Sequence, residues 1–272
     1  MKKNWTSKVG QAIGIIIIAC CIALPLWWIR PVLQQPTTVA DIAFDVRRSR
    51  GTDFRIFIEE DGHYVPYLVL TADYGGNVLL LREYLLDRTM HFNPSPHGPN
   101  LWGFDDFGSY YPDSHIDIFL NTEFMDTLGE SVITAMVASD IVITDKNSIG
   151  VTGRDSRVIT RNVFLLSLRE LGVPDPDTSV PEGETLRFFH GVHAVRVARF
   201  SSGTASPYWT RTPMNWTSYS VFTIAPVTIG FGPADRRLGV RPAFCVAPLT
   251  AITTRTDIIN GETVFVLCTN NY

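Results

Sequence analysis

Positive charge is scarce in this sequence beyond its first thirty residues, and lysine is nearly absent there. Lys146 is the only lysine after Lys8, and residues 31–272 carry 19 Lys and Arg against 27 Asp and Glu, a net charge of about −8. A field of that sign repels phosphate backbones and anionic lipid surfaces. The composition therefore argues against nucleic acid as a partner.

The sequence also lacks the motifs that announce catalysis. It has no G-x-S-x-G turn to expose a serine nucleophile, no glycine-rich phosphate loop and no C-x-x-C cluster. His190 and His193 are the only histidines close in sequence, and no carboxylate ladder accompanies them. The carboxylate pairs Asp105–Asp106 and Asp175–Asp177 are more typical of solvated turns than of calcium sites. We therefore predict no cofactor, no metal site and no catalytic residue.

Charged residues are missing altogether from residues 9–29, which three lysines precede. At about 1.5 Å per residue, a helix of that length spans roughly 31 Å, which matches a bilayer core of about 30 Å. Lysines on the N-terminal side place that end in the cytoplasm. We therefore predict a cell-membrane protein with a cytoplasmic tail over 1–8, a transmembrane signal-anchor helix over 9–29, a tether over 30–40 and an extracellular domain over 41–272.

Two other interpretations of this segment stay open. A cleaved signal peptide normally has a shorter apolar run, of about 7 to 15 residues. A lipoprotein signal would place a lipid on Cys20, but the residues after Cys20 stay apolar through Trp28, where a polar tether is usual. Both alternatives fit the segment less well than an anchor does.

Two cysteines, Cys245 and Cys268, lie beyond this segment. Both stand in apolar, strand-like runs near the end of the chain, and an oxidising exterior permits a disulfide. Spacing alone does not decide whether they pair. We treat them as a possible disulfide, which requires their Cα atoms to lie within about 4.4 to 6.8 Å of each other.

Hydrophobic patterning indicates strands at both ends of the extracellular domain and short helices between them. Val65–Leu86 predicts a β-hairpin, because two glycines at its centre supply the positive φ that a tight turn requires. Asp113–Val137 predicts a short helix, a break at Gly129 and a second short apolar face. From Arg196 onward, β-branched and aromatic runs between Gly, Pro and Asn are typical of strands.

The fold class predicted from these patterns is α+β. It combines the single transmembrane helix with one mostly β, loop-rich domain that contains a few short helices. Residues 161–171 are expected to begin as a strand and to turn helical near Ser167. No internal repeat or long low-complexity linker divides the chain after the anchor, so one domain is expected.

Five motifs occur in a fixed order along this domain: NVLLLREYLLD, SYYPDSHIDIFLNTEF, NVFLLSLRE, YWTRTP and GVRPAF. Their order and spacing resemble a bacterial family, domain of unknown function 6273, over about Val65 to Ala247. The resemblance implies a surface or secreted protein. The last two motifs are also similar to the ends of C-type-lectin-like and sulfatase-modifying-factor-like domains, which implies that fold by analogy only.

The YWTRTP and GVRPAF motifs are interpreted as structural. Arg211 and Arg241 each lie in an apolar strand beside a proline, and a guanidinium with five donors can tie several loop carbonyls together. The same arginines could instead line a ligand cleft. The residues assigned to the structural motif are Trp209, Arg211, Pro213, Gly239, Arg241 and Pro242.

The segment between the two motifs is the predicted ligand-binding surface. Trp216 and Tyr219 would offer large contact area at low entropic cost, and Arg236 and Arg237 would add donors to an otherwise acidic domain. The alternative is that both rings pack into the core, as aromatic residues in strand-like runs usually do. The exposure of the two rings decides between these interpretations.

These observations predict a non-catalytic binding module for a protein, a glycan or a cell-wall component, joined to the membrane through residues 9–29. An extracellular enzyme with dispersed acid and base residues is one alternative, and a structural spacer in the envelope is another. A deep pocket with convergent Asp, Glu or His would favour the enzyme. A shallow aromatic patch would favour binding.

Overall fold

The computed structural model describes residues 36–43, 54–99, 101–103, 106–149, 155–174, 180–190, 193–214, 216–259 and 261–268. Within these ranges the chain forms fifteen strands, which are β1 (Arg55–Glu60), β2 (His63–Tyr74), β3 (Asn77–Arg82), β4 (Met90–His91), β5 (Met136–Val137), β6 (Ser139–Thr144), β7 (Ser156–Arg161), β8 (Val163–Phe164), β9 (Tyr208–Pro213), β10 (Ser220–Ile224), β11 (Ile229–Pro233), β12 (Arg237–Leu238), β13 (Ala243–Val246), β14 (Ile252–Ile259) and β15 (Glu262–Leu267). Three short α-helices, α1 (His115–Leu120), α2 (Glu123–Asp126) and α3 (Glu130–Ala135), lie between β4 and β5.

The largest sheet has the strand order β14-β15-β1-β2-β3-β13-β5, and β8 also pairs with β13. Its neighbours are antiparallel except for β1 and β15, which are parallel. The central strand β3 is buried at five of its six residues, so both of its faces are covered. Its run of Val78 and three leucines is the composition that a strand covered on both faces requires.

The predicted β-hairpin is confirmed. β2 and β3 pair through Tyr74 and Asn77, and Gly75 and Gly76 between them have φ values of 59° and 83°. Positive φ at both central residues matches the right-handed twist of the flanking strands. The hairpin starts at His63 and its second strand ends at Arg82, so the apolar residues up to Leu86 belong to the connection that follows.

The helices between β4 and β5 are confirmed in position and are short. The Ser114 side chain accepts a hydrogen bond from Asp117 N and so caps α1, and Gly129 is the N-cap of α3. Two predicted helical features are wrong. Met136–Val137, assigned to the second helical face, pairs with β13 as a strand. The segment after Ser167, which was expected to be helical, forms turns.

The predicted α+β class with a transmembrane helix needs correction. The described chain is mostly β, and none of its α-helices exceeds six residues, which is about 9 Å of helix. Over the ranges given above, no helix is long and apolar enough to cross a membrane. The predicted span, residues 9–29, lies outside those ranges. The chain divides into two compact units, the second of which spans Thr37–Tyr272, and within that unit Thr38 bridges to Ala251.

A three-stranded sheet with the order β11-β10-β9 carries the region between the two Arg-Pro motifs. β9 is buried at all six residues and β10 at all five. β11 is different, because only Gly232 is buried among its five residues. The sheet thus has a covered side, which is the edge formed by β9, and an open side, which is the edge formed by β11. The residues of the structural motif lie at the covered side, and the predicted ligand-binding residues lie toward the open side.

Candidate functional site

Arg211 lies at the centre of a buried polar cluster on β9. Its Nη1 and Nη2 donate to the two carboxylate oxygens of Glu170 at 2.7 and 2.8 Å, and neither side chain has any exposed surface. Burial lowers the pKa of Arg211, but the charge and hydrogen bonds of Glu170, acting together with Tyr74 and Glu182, outweigh burial and hold the pKa above its ordinary value. Nη1 and Nε also donate to Leu165 O and Val142 O, so one side chain joins β9 to two other segments.

The Glu170 carboxylate is fully occupied. Besides the two bonds from Arg211, its oxygens accept from Tyr74 Oη at 2.6 Å and from Ser167 N at 2.9 Å. The Tyr74 ring stacks on Phe164 at 5.7 Å, and its burial raises the pKa of the phenol. A carboxylate that accepts four hydrogen bonds from protein donors joins several segments of the fold.

Glu182 is a second buried carboxyl, and it makes no direct ion pair with any described residue. One oxygen accepts from Thr144 N at 2.7 Å and Thr144 Oγ1 at 2.8 Å, and the other accepts from Thr212 Oγ1 at 2.7 Å. Burial raises its pKa to about 7, although Arg211 and these donors act in the opposite direction. The residue fastens the loop after position 180 to β6 and β9.

An open cleft of about 780 Å³ lies over this cluster. Tyr74 and Glu170 are among its lining residues, and Asp73, Asp140, Glu184 and Arg187 also line it. Two of the exposed carboxylates are already bonded, since Asp140 accepts from Thr160 Oγ1 at 2.6 Å and Asp73 accepts from Gly76 N at 3.3 Å. The cleft is acidic and polar, and its described lining contains no histidine.

The other residues of the structural motif are also buried. Trp209 Nε1 donates to Met90 O at 2.9 Å. Arg241 Nε donates to Arg82 O at 2.9 Å, and its guanidinium lies 5.8 Å from the centre of the Tyr208 ring. Pro213 and Pro242 are buried, and Gly239 bridges to Tyr208. All six motif residues therefore lie inside the domain, away from the open side of the three-stranded sheet.

The predicted ligand-binding residues lie at the surface. Trp216 is 69% exposed. Tyr219 is half-buried, because its ring stacks in parallel on Trp102 with ring centres 5.9 Å apart. Trp102 was absent from the predicted set; it lies in a Pro-, Gly- and Asn-rich stretch, residues 93–109, whose pattern indicates an ordered loop and no binding site. We call Trp102, Trp216 and Tyr219 the aromatic site.

The two predicted arginines follow this site along the chain. Ala234 N donates to Tyr219 O at 2.8 Å, which places the turn at 234–237 beside the aromatic site. Arg236 and Arg237 are both exposed, and Arg237 Nη2 donates to Thr89 O at 2.7 Å. Arg236 folds back over Gly232 in β11. The backbone pairing thus places the turn that carries the two arginines next to Tyr219, and Trp216 lies three residues before Tyr219 in the chain.

Among the described residues, the histidines and loop carboxylates form one pair and no larger cluster. Over the described ranges, no group of three or more His, Cys, Asp or Glu residues is arranged to hold a metal ion. His190 is exposed, and Asp106 pairs with His97 at 3.0 Å. Asp105 and Asp175–Asp177 lie outside the described ranges.

The two cysteines are separate thiols. Cys245 is buried in β13, while Cys268 directly follows β15. Four strand steps separate β15 from β13 in the sheet, which is roughly 19 Å at about 4.8 Å per step. A disulfide requires less than about 7 Å between Cα atoms, so the possible pairing is not made in this structure. Burial raises the pKa of the Cys245 thiol to about 12.

Comparison with known proteins identifies one family. The model of a family described as domain of unknown function (DUF6273) matches residues 75–248, which is 174 of the 272 residues of the chain. No curated protein and no solved structure matches the chain. The resemblance seen in the order of the five motifs is confirmed, and the likeness to C-type-lectin-like and sulfatase-modifying-factor-like domains stays a prediction.

Proposed function

Since the chain belongs to the domain of unknown function 6273 family, whose description assigns no activity, we propose a function from the geometry: the domain is a non-catalytic binding module. Its ligand contacts the aromatic site and the two arginines beside it. The observation that carries the proposal is the exposure of Trp216, at 69% of its surface. An exposed tryptophan beside a second aromatic ring offers apolar contact area that a partner can bury.

The surroundings of Trp216 support this function. The loop that carries it is fixed at both ends, because β9 before it and β10 after it are buried throughout. Tyr219 in the same loop is held by its stack on Trp102. Rigid aromatic side chains on a fixed scaffold lose little entropy when a ligand binds.

The acidic cleft supports catalysis less well. A general acid or base needs a carboxyl or imidazole that can exchange a proton with the substrate. Glu170 is saturated by Arg211, Tyr74 and Ser167, and Asp140 already accepts from Thr160. Two carboxylates of the cleft, those of Glu170 and Asp140, are therefore engaged in bonds within the fold.

The chemistry of the site suggests which ligand it takes. Aromatic faces bind apolar or carbohydrate faces, while an arginine fork recognises carboxylates or carbonyl groups with directed hydrogen bonds. Arg236 and Arg237 are exposed beside the rings in a chain whose residues 31–272 carry about −8. We therefore expect a ligand that combines an apolar face with acceptor groups or negative charge.

A matched pair of variants tests the proposal. The full-length chain is applied to a glycan array and to a peptide array, and the strongest ligand is titrated against each variant. Trp216→Ala with Tyr219→Ala should weaken binding by about tenfold or more, as loss of central aromatic contacts usually does. Leu249→Ala is the control, because Leu249 is also strongly exposed, at 84%, but lies after β13. Unchanged binding by the double variant to every ligand found would contradict the proposal.

A further inference from the structure

Among the described strands, β11 is an open edge of the three-stranded sheet. Proteins usually protect such edges with charged residues, prolines, bulges or covering loops, because unpaired backbone groups there can pair with another chain. The edge of the larger sheet follows this rule, since β14 carries Arg255 and Asp257 and its pairing with β15 has a register shift. β11 has the sequence IGFGP, which contains no charge and has a proline only at its last residue, and it pairs with β10 without a shift.

The register shows which backbone groups of β11 point outward. Ala225 N donates to Thr228 O at 2.9 Å, and Ala234 N donates to Tyr219 O at 2.8 Å. Hydrogen-bonded pairs alternate with non-bonded pairs in an antiparallel ladder. Gly230 and Gly232 therefore bond toward β10, while the N–H and C=O groups of Ile229 and Phe231 point away from it. The Thr228 hydroxyl reaches Ile229 O at 3.2 Å.

The side chains leave this edge accessible. Phe231 is 56% exposed and Ile229 is 36% exposed, and they lie opposite Phe222 and Ile224 on one face of the sheet. Gly230 and Gly232 alternate with them on the other face, where Arg236 lies across Gly232. A strand added at this edge would thus meet an apolar face on one side and a guanidinium on the other.

Charge decides between the possible occupants. A second copy of this chain would bring its own net charge of about −8 over residues 31–272 against that of the first copy. An extended peptide brings far fewer charges than a second copy does, and the carboxylates at its end would face Arg236 and Arg237, which are exposed near the end of the edge. Arginine binds carboxylates through paired hydrogen bonds.

The geometry points to β11 as a strand-addition site, at which an extended acidic peptide becomes the fourth strand of the β9–β11 sheet. Main-chain hydrogen bonds to Ile229 and Phe231 supply affinity, and alternate side chains of the peptide contact the Phe231 face. Carboxylates of the peptide pair with Arg236 and Arg237. The inference rests on the proposed binding function, and it names a peptide as the partner class.

The probe is an end-blocked peptide of about seven residues, a usual strand length, with alternating valine and threonine and aspartates at both ends. The same peptide with every backbone nitrogen methylated is the first comparison, and a version with lysines in place of the aspartates is the second. Binding to the full-length chain is measured by fluorescence anisotropy. We expect the acidic peptide to bind and both comparison peptides to bind at least about tenfold more weakly.

Ile229→Pro and Ile229→Ala form the matched pair of variants. Both remove the isoleucine side chain, but only proline removes the outward N–H, and proline is tolerated at an edge position whose N–H is not used in the sheet. Peptide binding should be lost in Ile229→Pro and kept in Ile229→Ala, while the two variants melt at similar temperatures. The N-methylated peptide repeats this comparison on the unmodified chain if Ile229→Pro folds poorly.

Four results would overturn the inference. They are no binding of the acidic peptide, equal binding of the methylated peptide, equal binding of the lysine peptide, and a concentration-dependent dimer that Ile229→Pro abolishes while no peptide binds. The double variant Trp216→Ala with Tyr219→Ala separates this inference from the proposed function. If it keeps peptide binding that Ile229→Pro loses, the edge is the site and the aromatic site is not.

Discussion

The two sides of the β9–β11 sheet differ in burial, in bonding and in the kind of residue they carry. On the β9 side, every residue is buried, and Arg211 N and Trp209 N bond to Leu166 and Gly239 outside the sheet. On the β11 side, Phe231 and Ile229 are exposed, and none of the described strands lies beside the outer backbone groups. The β9 side thus packs inside the domain, and the β11 side is accessible to a partner.

The difference explains why two runs of similar composition have different roles. YWTRTP on β9 contains Tyr, Trp and Arg, and so does the run from Trp216 to Arg237. In β9 the guanidinium meets a buried carboxylate, and the indole N–H meets a carbonyl. In the later run the arginines and Trp216 remain exposed. Composition alone therefore does not distinguish the buried run from the exposed one. The hydrogen-bond partners that the polar groups find inside the domain do.

The largest effect is expected from breaking the buried pair. Arg211→Met should reduce the free energy of unfolding by about 3 to 5 kcal/mol, because it leaves the Glu170 carboxylate buried without its cation. Urea unfolding of the variant measures the change. The double variant Arg211→Met with Glu170→Leu should recover part of the loss, since no buried charge then remains uncompensated.

A small effect of Arg211→Met would contradict the assignment of the β9 side to the fold. The result would be most informative if ligand binding disappeared while the free energy of unfolding stayed the same. Arg211 would then belong to a ligand site in the acidic cleft, which Glu170 lines.

The pH dependence of stability gives an effect of intermediate size. Burial raises the pKa of Glu182 from 4.5 to about 7, so the folded chain holds a proton that the unfolded chain releases. The free energy of unfolding should therefore decrease as the pH rises from about 4.5 to about 7, by an amount on the order of 3 kcal/mol. Below that window both states are protonated, and above it both are ionised.

Glu182→Gln isolates this effect. Glutamine stays neutral and can still accept from Thr144, so the decrease over that pH window should be absent in the variant and present in the natural chain. Urea unfolding at pH 4.5, 5.5, 6.5 and 7.5 makes the comparison. Parallel pH profiles for the two proteins would show that Glu182 does not hold a proton in the folded state.

Turns and helix starts can be predicted from neighbouring residues in the sequence, whereas the buried polar cluster around Arg211 cannot. Gly75 and Gly76 predict the β2–β3 hairpin because their positive φ is a local requirement. Ser114 and Gly129 mark helix starts for a similar reason. Glu170 and Glu182 lie 41 residues from Arg211 and 30 residues from Thr212, and no periodicity in the chain signals that such distant groups meet.

The candidate site was predicted in part for the same reason. Aromatic residues after Pro213 could be recognised in the sequence, but their exposure depends on what packs over them. Tyr219 is half-buried because Trp102, more than a hundred residues earlier, stacks on it. The open edge of β11 was missed because edge position depends on the strand order of the whole sheet, which local patterns do not contain.

The smallest expected effects compare one glycine from each side of the sheet. A Cβ atom at Gly239 would lie 2.7 Å from Leu85 Cδ1 and 3.1 Å from Pro207 O, so Gly239→Ala must displace a buried side chain and backbone. We expect it to reduce the free energy of unfolding by about 1 to 3 kcal/mol. A Cβ atom at Gly232 would meet only Arg236, at 3.2 Å from its Cδ. That side chain is exposed and can move, so Gly232→Ala should change stability by no more than about 0.5 kcal/mol.

Both variants replace a buried glycine by alanine, so a difference between their stabilities reports the surroundings of the two positions. Urea unfolding of both variants measures this difference. Equal losses would mean that Arg236 is fixed in place, and the open side would then be as rigid as the covered one.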